Sequence, residues 1–476
     1  MAASGIRWTA VAVAVVFSFP VARPQTAGAP GHMPADSLAA LLRRAPANGE
    51  PITVSNQQID GGLNLGDETG TLDASTTIRL DHCHFTEHVR LSGCHFHGSL
   101  TLTQCTFDKG LDLSESTVDG DFTLREPVIA WPQAKPRALD LSGLRVGDEL
   151  FIGRPRIEGG IDAVGVSTER LNVILTGASV GEVNFAGLTA NSASFRSAAL
   201  GILDVPLLAL NNATLKNALS ARNLRCRILR MTSASVGERT QFDNVRIEDE
   251  LGLSGATLHA FRYTPAATDR TTSAWPGSIR LDGMTFADSV VTLPKDAPRP
   301  DDYTQIKGVG DTLLFLQHAE YSQSAYESLQ GELLRRGQVP QADAVFLAMH
   351  HANREQQWTA SPRTWPWGLF DSFQEYVLGY GRSPVAPGIW SALFVLLGWF
   401  AFRNRTNMIE VEDSGKPPEF SAAWYSLEMF LPIVDLGMAK AWRPSTRLLQ
   451  TYARVHQIAG WILVPVALAA ITGVAR

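Results

Sequence analysis

The chain lacks several short motifs that identify common enzyme classes. It contains no Walker phosphate-binding loop, no His-Glu-x-x-His pair and no glycine-rich dinucleotide fingerprint. Its acidic residues, including Asp112 and Asp121, fall at positions that we predict to face solvent, and their spacing selects no catalytic pair. We therefore predict a protein that is not an enzyme and that binds no cofactor.

The chain also lacks a strong excess of charge of one sign. Its formal net charge is −6 over 476 residues, and charged residues make up 18% of the sequence. A nucleic-acid-binding domain normally presents a strongly basic surface, so nucleic acid is not expected as a partner. A hydrophobic content of 45% suits a folded protein with a membrane-embedded part.

A unit of eleven residues recurs between Ile78 and Leu124. Four copies are complete and a fifth begins; they read IRLDHCHFTEH, VRLSGCHFHGS, LTLTQCTFDKG, LDLSESTVDGD and FTL. Apolar and polar residues alternate within each unit, which is the period of a half-buried strand. Strands this short cannot bury a face alone, but turns stacked about 4.8 Å apart bury it together. Two units, or 22 residues, then make one turn with four faces.

Further along the chain, the apolar pairs recur every five residues. Pairs of small or apolar residues, separated by one spacer, follow each other regularly: Leu188-x-Ala190, Ala193-x-Phe195, Ala198-x-Leu200, Leu203-x-Val205, Leu208-x-Leu210 and Ala213-x-Leu215. This pattern resembles the pentapeptide-repeat family. The resemblance implies a mainly β fold, a right-handed parallel four-sided β-helix, and we predict it over residues 52–293. It implies no single function. Proline-rich interruptions at Pro127–Pro136 and Tyr263–Gly277 predict loops.

Residues 1–30 have the layout of a secretory signal peptide. Arg7 precedes an apolar run from Trp8 to Phe19, and small residues follow Pro20. This run is short for a membrane span, so export is predicted; an uncleaved anchor would send the chain outward as well. Residues 33–51 then predict a short amphipathic helix, capped by Asp36, that covers the exposed edge of the first turn.

After the bridge Pro294–Asp302 the apolar period changes from two to about 3.6. A helix from Leu313 to Leu334 and a second from Ala342 to Trp358 form a predicted helical hairpin within residues 303–361. Residues 362–384 carry aromatic side chains at helical spacing and predict a segment in the membrane interface.

Two apolar stretches predict transmembrane helices at residues 385–402 and 458–475. The loop between them, residues 403–457, is richer in Lys and Arg than the outer flanks, so it is predicted to be cytoplasmic. Together with the signal peptide, this predicts an inner (cytoplasmic) membrane protein with its β-helix on the extracytoplasmic side. The basic residues of the loop are Arg403, Arg405, Lys416, Lys440, Arg443, Arg447 and Arg454.

Residues 419–437, inside that loop, are too apolar for an ordinary loop. We interpret them as an amphipathic helix on the inner leaflet. The alternative is a re-entrant segment, because the order span, short helix, span resembles the plan of two-helix cation channels. The glycine-rich filter of potassium channels is absent from 430–437, which read FLPIVDLG. If a pathway exists, Glu428 and Asp435, on one predicted helical face, are its candidate residues.

A cluster of histidines and cysteines raises the question of a zinc site. The alternation that points Phe85 inward also points Cys83 inward and His84 outward, so the cysteines are predicted as small core residues. One turn apart, His95 stacks on Thr117, and no two histidines share a column. Four converging ligands are not predicted, and no metal is expected. The cluster comprises His82, His84, His88, His95, His97, Cys83, Cys94 and Cys105.

Cys83 and Cys105 are predicted to be stacked neighbours, one turn apart. This separation is within the range of a disulfide, which an oxidising compartment would permit. Their inward side chains run parallel, which is poor geometry for a bond. A disulfide between them is therefore kept as a candidate.

These features together predict a non-catalytic, membrane-anchored scaffold or binding protein outside the cytoplasm. Membrane lipid and another protein, bound on a face of the β-helix, are the expected partners. Homo-oligomerisation through the glycine-bearing spans is a further expectation. Two alternatives stay open: a channel-like or transport-related protein that uses residues 419–437, and a carbohydrate-active protein of the cell envelope.

Overall fold

Parallel strand pairing between successive turns organises the chain from Ile52 to Ala287. Ile78 pairs with Ile52 on one side and Leu100 on the other, and Leu100 pairs in turn with Phe122. This ladder confirms the predicted fold class, a parallel β-solenoid of about 9 turns. The computed structural model describes residues 30–44, 50–66, 73–74, 76–130, 137–197, 205–266, 275–287, 309–360, 365–382, 385–411, 419–431 and 433–472. The predicted signal peptide lies outside these described residues.

The early turns each contribute four short strands, which makes the β-solenoid four-sided. The first face carries Ile52–Ser55, Ile78–Asp81, Leu100–Thr103, Phe122–Arg125 and Glu149–Gly153. The second carries Gly31–Pro34, Gln57–Asp60, His84–Phe85, Thr106–Phe107, Val128–Ile129 and Arg156–Ile157. The third carries Leu63–Asn64, Val89–Arg90, Leu111–Asp112, Arg137–Asp140 and Gly160–Asp162. The fourth carries Asp73–Ala74, His95–Phe96, Thr117–Val118 and Arg145–Val146.

In the later turns many strands are longer, because pairing continues around the corners. Arg239–Gly252, for example, pairs on two faces in succession with strands of the preceding turn. The strands of these turns are Ser167–Ile174, Val183–Asn184, Thr189–Arg196, Val205–Ala209, Thr214–Arg222, Arg225–Arg230, Ser235–Val236, Arg239–Gly252, Thr257–His259, Arg262–Pro265, Ser278–Arg280 and Thr285–Ala287.

The length of a turn varies with its loops. Ser99 and Asp121 are hydrogen-bonded at a separation of 22 residues, whereas Asp121 and Glu149, one turn later, are 28 apart. The longer turn contains the first predicted proline-rich loop. That loop is narrower than predicted, because Val128–Ile129 remains a strand. Tyr263, the first residue of the other predicted loop, likewise lies in a strand and is buried.

One corner places a non-glycine residue in the left-handed region in successive turns. His82, Gln104, Glu126 and Arg154 all have φ between 50° and 54°. This conformation is unfavourable for most L-residues. Side chains along this corner hydrogen-bond between turns: Gln104 donates to Glu126 at 2.8 Å, and Arg154 donates to Glu126 at 2.9 Å. These bonds help to offset the backbone strain.

Helix α1 (Ala35–Arg43) covers the N-terminal end of the β-solenoid. Its buried residues, including Leu38 and Leu42, belong to the same hydrophobic cluster as the interior of the coil. The N-cap is Pro34, and Asp36 lies in the first turn instead of capping the helix as predicted. A carboxylate in this turn still interacts favourably with the helix dipole.

Helices α2 (Gly310–His318) and α3 (Gln323–Arg335) cover the other end. The sequence predicts one helix over this range, but the chain breaks between them, where Ser322 caps α3 by accepting from the N–H of Ala325. Two serines of α3 then accept from backbone N–H groups of the last turn. Ser324 accepts from Gly283 at 2.8 Å, and Ser328 from Phe286 at 2.9 Å. The strand edge is therefore capped by side chains.

The remaining chain is helical. Helix α4 (Val339–Ala360) forms a hairpin with α3. Helix α5 (Trp365–Phe373) continues into a π-helical turn, Gln374–Leu378, and a 3₁₀ turn, Gly379–Gly381. Then follow α6 (Val385–Phe402), a 3₁₀ turn Arg405–Asn407, α7 (Ala422–Phe430), α8 (Met438–Ala441) and α9 (Arg447–Thr472). Strands Met408–Glu410 and Trp442–Pro444 pair antiparallel.

Helices α6 and α9 are long and apolar enough to cross a membrane. Only 17% and 22% of their apolar windows are buried inside the structure. A core helix of a soluble domain would bury most of its apolar surface, so this exposure favours contact with lipid. Association with a membrane is therefore the indicated setting for the C-terminal part.

Inward side chains at equivalent positions of successive turns form a column, as Phe85 and Phe107 do. Replacing Phe107 tests how much such a column stabilises the fold. Its ring stacks on Phe85 with centroids 4.9 Å apart, and Phe107→Ala should lower the free energy of unfolding by about 3–5 kcal/mol. Thr106→Ala, in the same strand but on the outward side, should change it by less than about 0.5 kcal/mol. Urea unfolding of the full chain in detergent, followed by circular dichroism, measures both. Equal effects would contradict a core organised in columns.

Candidate functional site

Helix α7 packs between the two apolar helices. Near its start, Tyr425 contacts Phe402 of α6 with ring centroids 4.9 Å apart. At its end, Phe430 stacks on Phe394 of α6 at 6.2 Å. Positions 394 and 402 are separated by about 12 Å along a helix. After α7 the chain returns, since Trp442 joins the hydrophobic cluster around Phe402.

This path is a hairpin that runs down α6 and back, and it also contacts α9. The polar residues of α7 point into the contact with its neighbours: Ser426 is fully buried and Glu428 is 8% exposed. For residues 419–437, the amphipathic helix on the inner leaflet and the re-entrant segment both stay predictions.

Two glycines make this close packing feasible. A Cβ atom at Gly398 of α6 would lie 2.2 Å from the Ser426 hydroxyl oxygen, and one at Gly460 of α9 would lie 1.8 Å from the carbonyl oxygen of Phe430. Both glycines are thus buried in contacts with α7 of the same chain and do not face a second copy. Of the glycines predicted to mediate oligomerisation, Gly388 has nothing within 4 Å of its would-be Cβ atom and keeps an open surface.

Ser426 and His456 form a buried polar contact at the centre of this helix cluster. The Ser426 hydroxyl donates to the carbonyl oxygen of Val395 at 2.8 Å, and the His456 Nε2 atom donates to the carbonyl oxygen of Ser426 at 3.0 Å. Sequence reasoning missed Ser426, which lies within residues 419–437, and it missed His456 because it began the second span at Ile458. The signal was present: His456 lies four residues before Gly460, on the same helical face.

Glu428 and Asp435 are not brought onto one helical face as predicted. Helix α7 ends at Phe430. A proline disfavours the α-helical conformation of the residue before it, and Pro432 directly follows Leu431, the C-cap of α7. Glu428 is buried and accepts from the N–H groups of Met438 and Ala439 at 2.8 and 3.2 Å. It therefore anchors the start of α8, on the returning part of the hairpin.

Asp435 is exposed and pairs with Lys440. The hydrogen bond from Lys440, together with one from the N–H of Gly437, lowers the pKa of Asp435. This carboxylate is therefore charged at neutral pH, and an exposed charged pair favours a position in water or among headgroups. The two acidic residues thus occupy different environments.

A network of charged residues joins the helical hairpin to the segment before α6. On α4, Arg354 pairs with both Asp371 and Glu375, and His350 contacts Asp371 at 2.8 Å. The Arg354 side chain is only 12% exposed. Ion pairs that are half-buried and hydrogen-bonded in this way hold their elements in a fixed geometry more firmly than exposed pairs do.

The cysteines are core residues, as their alternation predicts. Cys83 and Cys105 are free thiols, so the structure does not contain the candidate disulfide. Each thiol instead donates to a carbonyl oxygen of the preceding turn: Cys83 to Val54 at 3.6 Å, and Cys105 to Leu80 at 3.4 Å. The hydrogen bond to Cys83 and burial raise the pKa of Cys105, and burial raises the pKa of Cys226 to about 12.

The histidines are closer together than the stacking argument suggests. His95 does stack on Thr117, and His84 on Thr106. The argument considered contacts between turns alone, however, and missed a pair within one turn. The rings of His95 and His97 lie 4.0 Å apart, and both contact Asp119 of the next turn. The signal was the His-x-His spacing on a strand, which puts both side chains on one side.

Comparison with known proteins agrees with the geometry. The fold defines the class, a parallel β-solenoid followed by helices that include two candidate membrane spans. Residues 80–126 match the model of a family described as pentapeptide repeats, in 9 copies. The chain thus contains a pentapeptide-repeat β-solenoid, and proteins with such a β-solenoid are typically structural or protein-interaction proteins. No curated protein and no solved structure gave a significant match.

Substitution of Gly460 tests the packing of α7. In Gly460→Ala the new methyl group would meet a backbone oxygen, which cannot rotate away, so α7 must move from α9. Gly388→Ala is the matched control, since its methyl group would enter open space and replacing glycine in a helix should be neutral or stabilising by up to about 1 kcal/mol. Thermal unfolding in detergent compares the two. A Gly460 variant as stable as the Gly388 variant would rule out this packing.

Proposed function

We propose that this protein is a non-catalytic scaffold, anchored in the inner membrane, whose β-solenoid binds another protein outside the cytoplasm. The observation that carries the proposal is the closed construction of the β-solenoid. Its two ends are covered by α1 and by α2 with α3. The space inside its first turns is about 10 Å³, too little to hold a ligand. A partner of the β-solenoid is therefore expected on its lateral faces, not inside its first turns.

The lateral faces suit a protein partner because they are long, regular and polar. Cross-turn ion pairs line them, such as Lys109 with Glu87 at 2.6 Å and Arg227 with Asp249 at 2.7 Å. Large apolar side chains are sparse there; Val128 and Val164 are exposed examples on the described turns. A reversible protein interface is on average about as apolar as the rest of a protein surface, so it needs no large apolar patch.

The β-solenoid is attached to the helices α6 to α9, here called the membrane module, and this attachment supports a scaffold role as well. Helix α4 packs on α3, which caps the β-solenoid, and its Arg354 is tied to the segment that precedes α6. The indole of Trp390, on α6, donates to the carbonyl oxygen of Tyr376 in that segment at 2.9 Å. A partner on the β-solenoid would therefore be held in a defined position relative to the bilayer.

Cysteine labelling tests the proposed location. Ser167 on the β-solenoid and Ser445 before α9 are both exposed, and the native cysteines are buried, so the background is low. A membrane-impermeant maleimide should label Ser167→Cys in intact spheroplasts and Ser445→Cys only after lysis. The opposite pattern would place the β-solenoid in the cytoplasm and contradict the proposal.

The same Ser167→Cys variant can carry a photoactivatable crosslinker. We expect a discrete adduct with one different protein, at a yield that falls at least tenfold when the crosslinker is moved to Ser445. Adducts formed only between copies of this chain, or none at all, would count against a binding scaffold.

A second candidate, a channel-like or transport-related function, is favoured by the buried polar groups of the membrane module. Glu428, Ser426 and His456 lie between apolar helices. Polar and ionisable residues at such positions are costly and often mark ion or substrate pathways. A re-entrant hairpin between two spans is also the arrangement around which cation channels assemble.

Planar-bilayer recordings test this second candidate. The wild-type protein should conduct monovalent cations, and Glu428→Gln should reduce the cation-to-anion permeability ratio at least threefold, because it removes the buried carboxyl group. Asp435→Asn, at the exposed turn, is the control and should change the ratio little. A complete lack of conductance would eliminate this function and leave the scaffold role intact.

A further inference from the structure

We propose that His95, His97 and Asp119 form a surface site for one divalent transition-metal ion, Zn²⁺ or Cu²⁺, on the fourth face of the β-solenoid. The His95 Nε2 atom lies 3.0 Å from one carboxylate oxygen of Asp119, and the His97 Nδ1 atom lies 2.9 Å from the other. All candidate ligand atoms of the three residues lie within 4.8 Å of one another. This site is independent of the scaffold and channel proposals.

The backbone of the coil fixes these positions. Phe96 points into the core and is 1% exposed, so the residues on either side of it point outward together. Asp119 comes from the next turn, where Thr117 and Val118 pair with His95 and Phe96. The N–H of Asp119 donates to the carbonyl oxygen of Phe96 at 2.8 Å. Two imidazoles from one turn and a carboxylate from the next are thus held by the β ladder.

The distances suit a metal ion with little rearrangement. Metal–nitrogen and metal–oxygen bonds to zinc are about 2.0–2.2 Å, which in a tetrahedral site puts ligand atoms about 3.3 Å apart. The two imidazole–carboxylate pairs are 3.0 and 2.9 Å apart, a few tenths of an ångström closer, so a rotation of the side chains would admit the ion in place of the two hydrogen bonds, with each imidazole proton moving to the other ring nitrogen. Imidazole with carboxylate is a ligand set that zinc and copper accept readily.

The site is open to solvent on its outer side. The side chains of His95, His97 and Asp119 are 41%, 42% and 45% exposed. On the turn above, Gly147 stands opposite Asp119, and a Cβ atom there would lie 2.0 Å from the carbonyl oxygen of Asp119. The position therefore accepts only glycine, which leaves no side chain over the carboxylate. A fourth coordination position would remain for water or for a ligand from a partner.

The second face offers a matched control. There His84 contacts Asp108 at 2.9 Å, again across one turn and at similar exposure. Among the described residues, this carboxylate contacts one imidazole, whereas Asp119 contacts two. A single imidazole–carboxylate pair binds metal ions far more weakly than three converging ligands do. The two sites thus differ mainly in the second histidine.

The full chain, purified in detergent with a tag that contains no histidine and stripped with EDTA, can be titrated with Zn²⁺ against a chromophoric chelator. The wild-type protein should bind one equivalent. His95→Ala, His97→Ala and Asp119→Asn should each weaken that binding at least tenfold, whereas His84→Ala should leave it unchanged. With Cu²⁺, the electron paramagnetic resonance spectrum should show nitrogen couplings that are lost in the His95→Ala/His97→Ala variant.

Circular dichroism is the check that each variant retains the fold, and we expect it to do so because the substituted side chains are exposed. Equal Zn²⁺ affinity of the wild-type protein and the His95→Ala/His97→Ala variant would overturn the proposal. An equal loss in His84→Ala would overturn it too, since it would show adsorption to surface histidines in general.

Discussion

The structure depends on the hydrogen bonds that join each turn of the β-solenoid to the next. Because strands pair in parallel and in register, each inward side chain has a neighbour of the same kind one turn away, as Leu80, Leu102 and Leu124 do. The ladder thus imposes one residue class on each inward column. Ser116, a small polar residue in the core, has its hydroxyl satisfied by the ladder: it donates to the carbonyl oxygen of Leu91 at 2.6 Å. Stability is therefore built from nearest-neighbour contacts along the coil.

A coil of this kind has two vulnerable ends, and the chain uses a different solution at each. At the first end, α1 contributes apolar side chains that extend the core. At the last turn, hydroxyl oxygens of Ser324 and Ser328 take over the acceptors that a further strand would have provided. The second solution also determines how the protein is assembled. Because α3 is fixed to the last strands, and α4 is fixed to α3, the route from the β-solenoid to the apolar helices runs through packed elements.

The membrane module follows a different packing rule, based on small residues instead of repeated ones. Gly398 and Gly460 allow α7 to approach α6 and α9 so closely that Ser426 and His456 are fully buried. Polar groups at such a depth are costly unless they bond to each other or to backbone carbonyl oxygens, and the Ser426 hydroxyl does both: it donates to Val395 and lies 3.4 Å from the Nε2 atom of His456. The module is thus more than a pair of anchoring helices. It contains a folded hairpin that packs against both helices.

The residue pattern alone determined the β-solenoid, the 22-residue turn, the buried cysteines and the two apolar helices, because each follows from a short period in the order of apolar residues. Only the tertiary structure decided the helix boundaries and the side-chain clusters, because these depend on contacts between residues that no local period relates. The break before α3 is set by its docking on the last turn, and the different environments of Glu428 and Asp435 by the fold of the hairpin. His95, His97 and Asp119 converge because a turn boundary places a carboxylate opposite a His-x-His strand. The period of apolar residues predicts the structure of one chain segment, whereas a cluster such as His95, His97 and Asp119 forms between segments that are separate in the sequence.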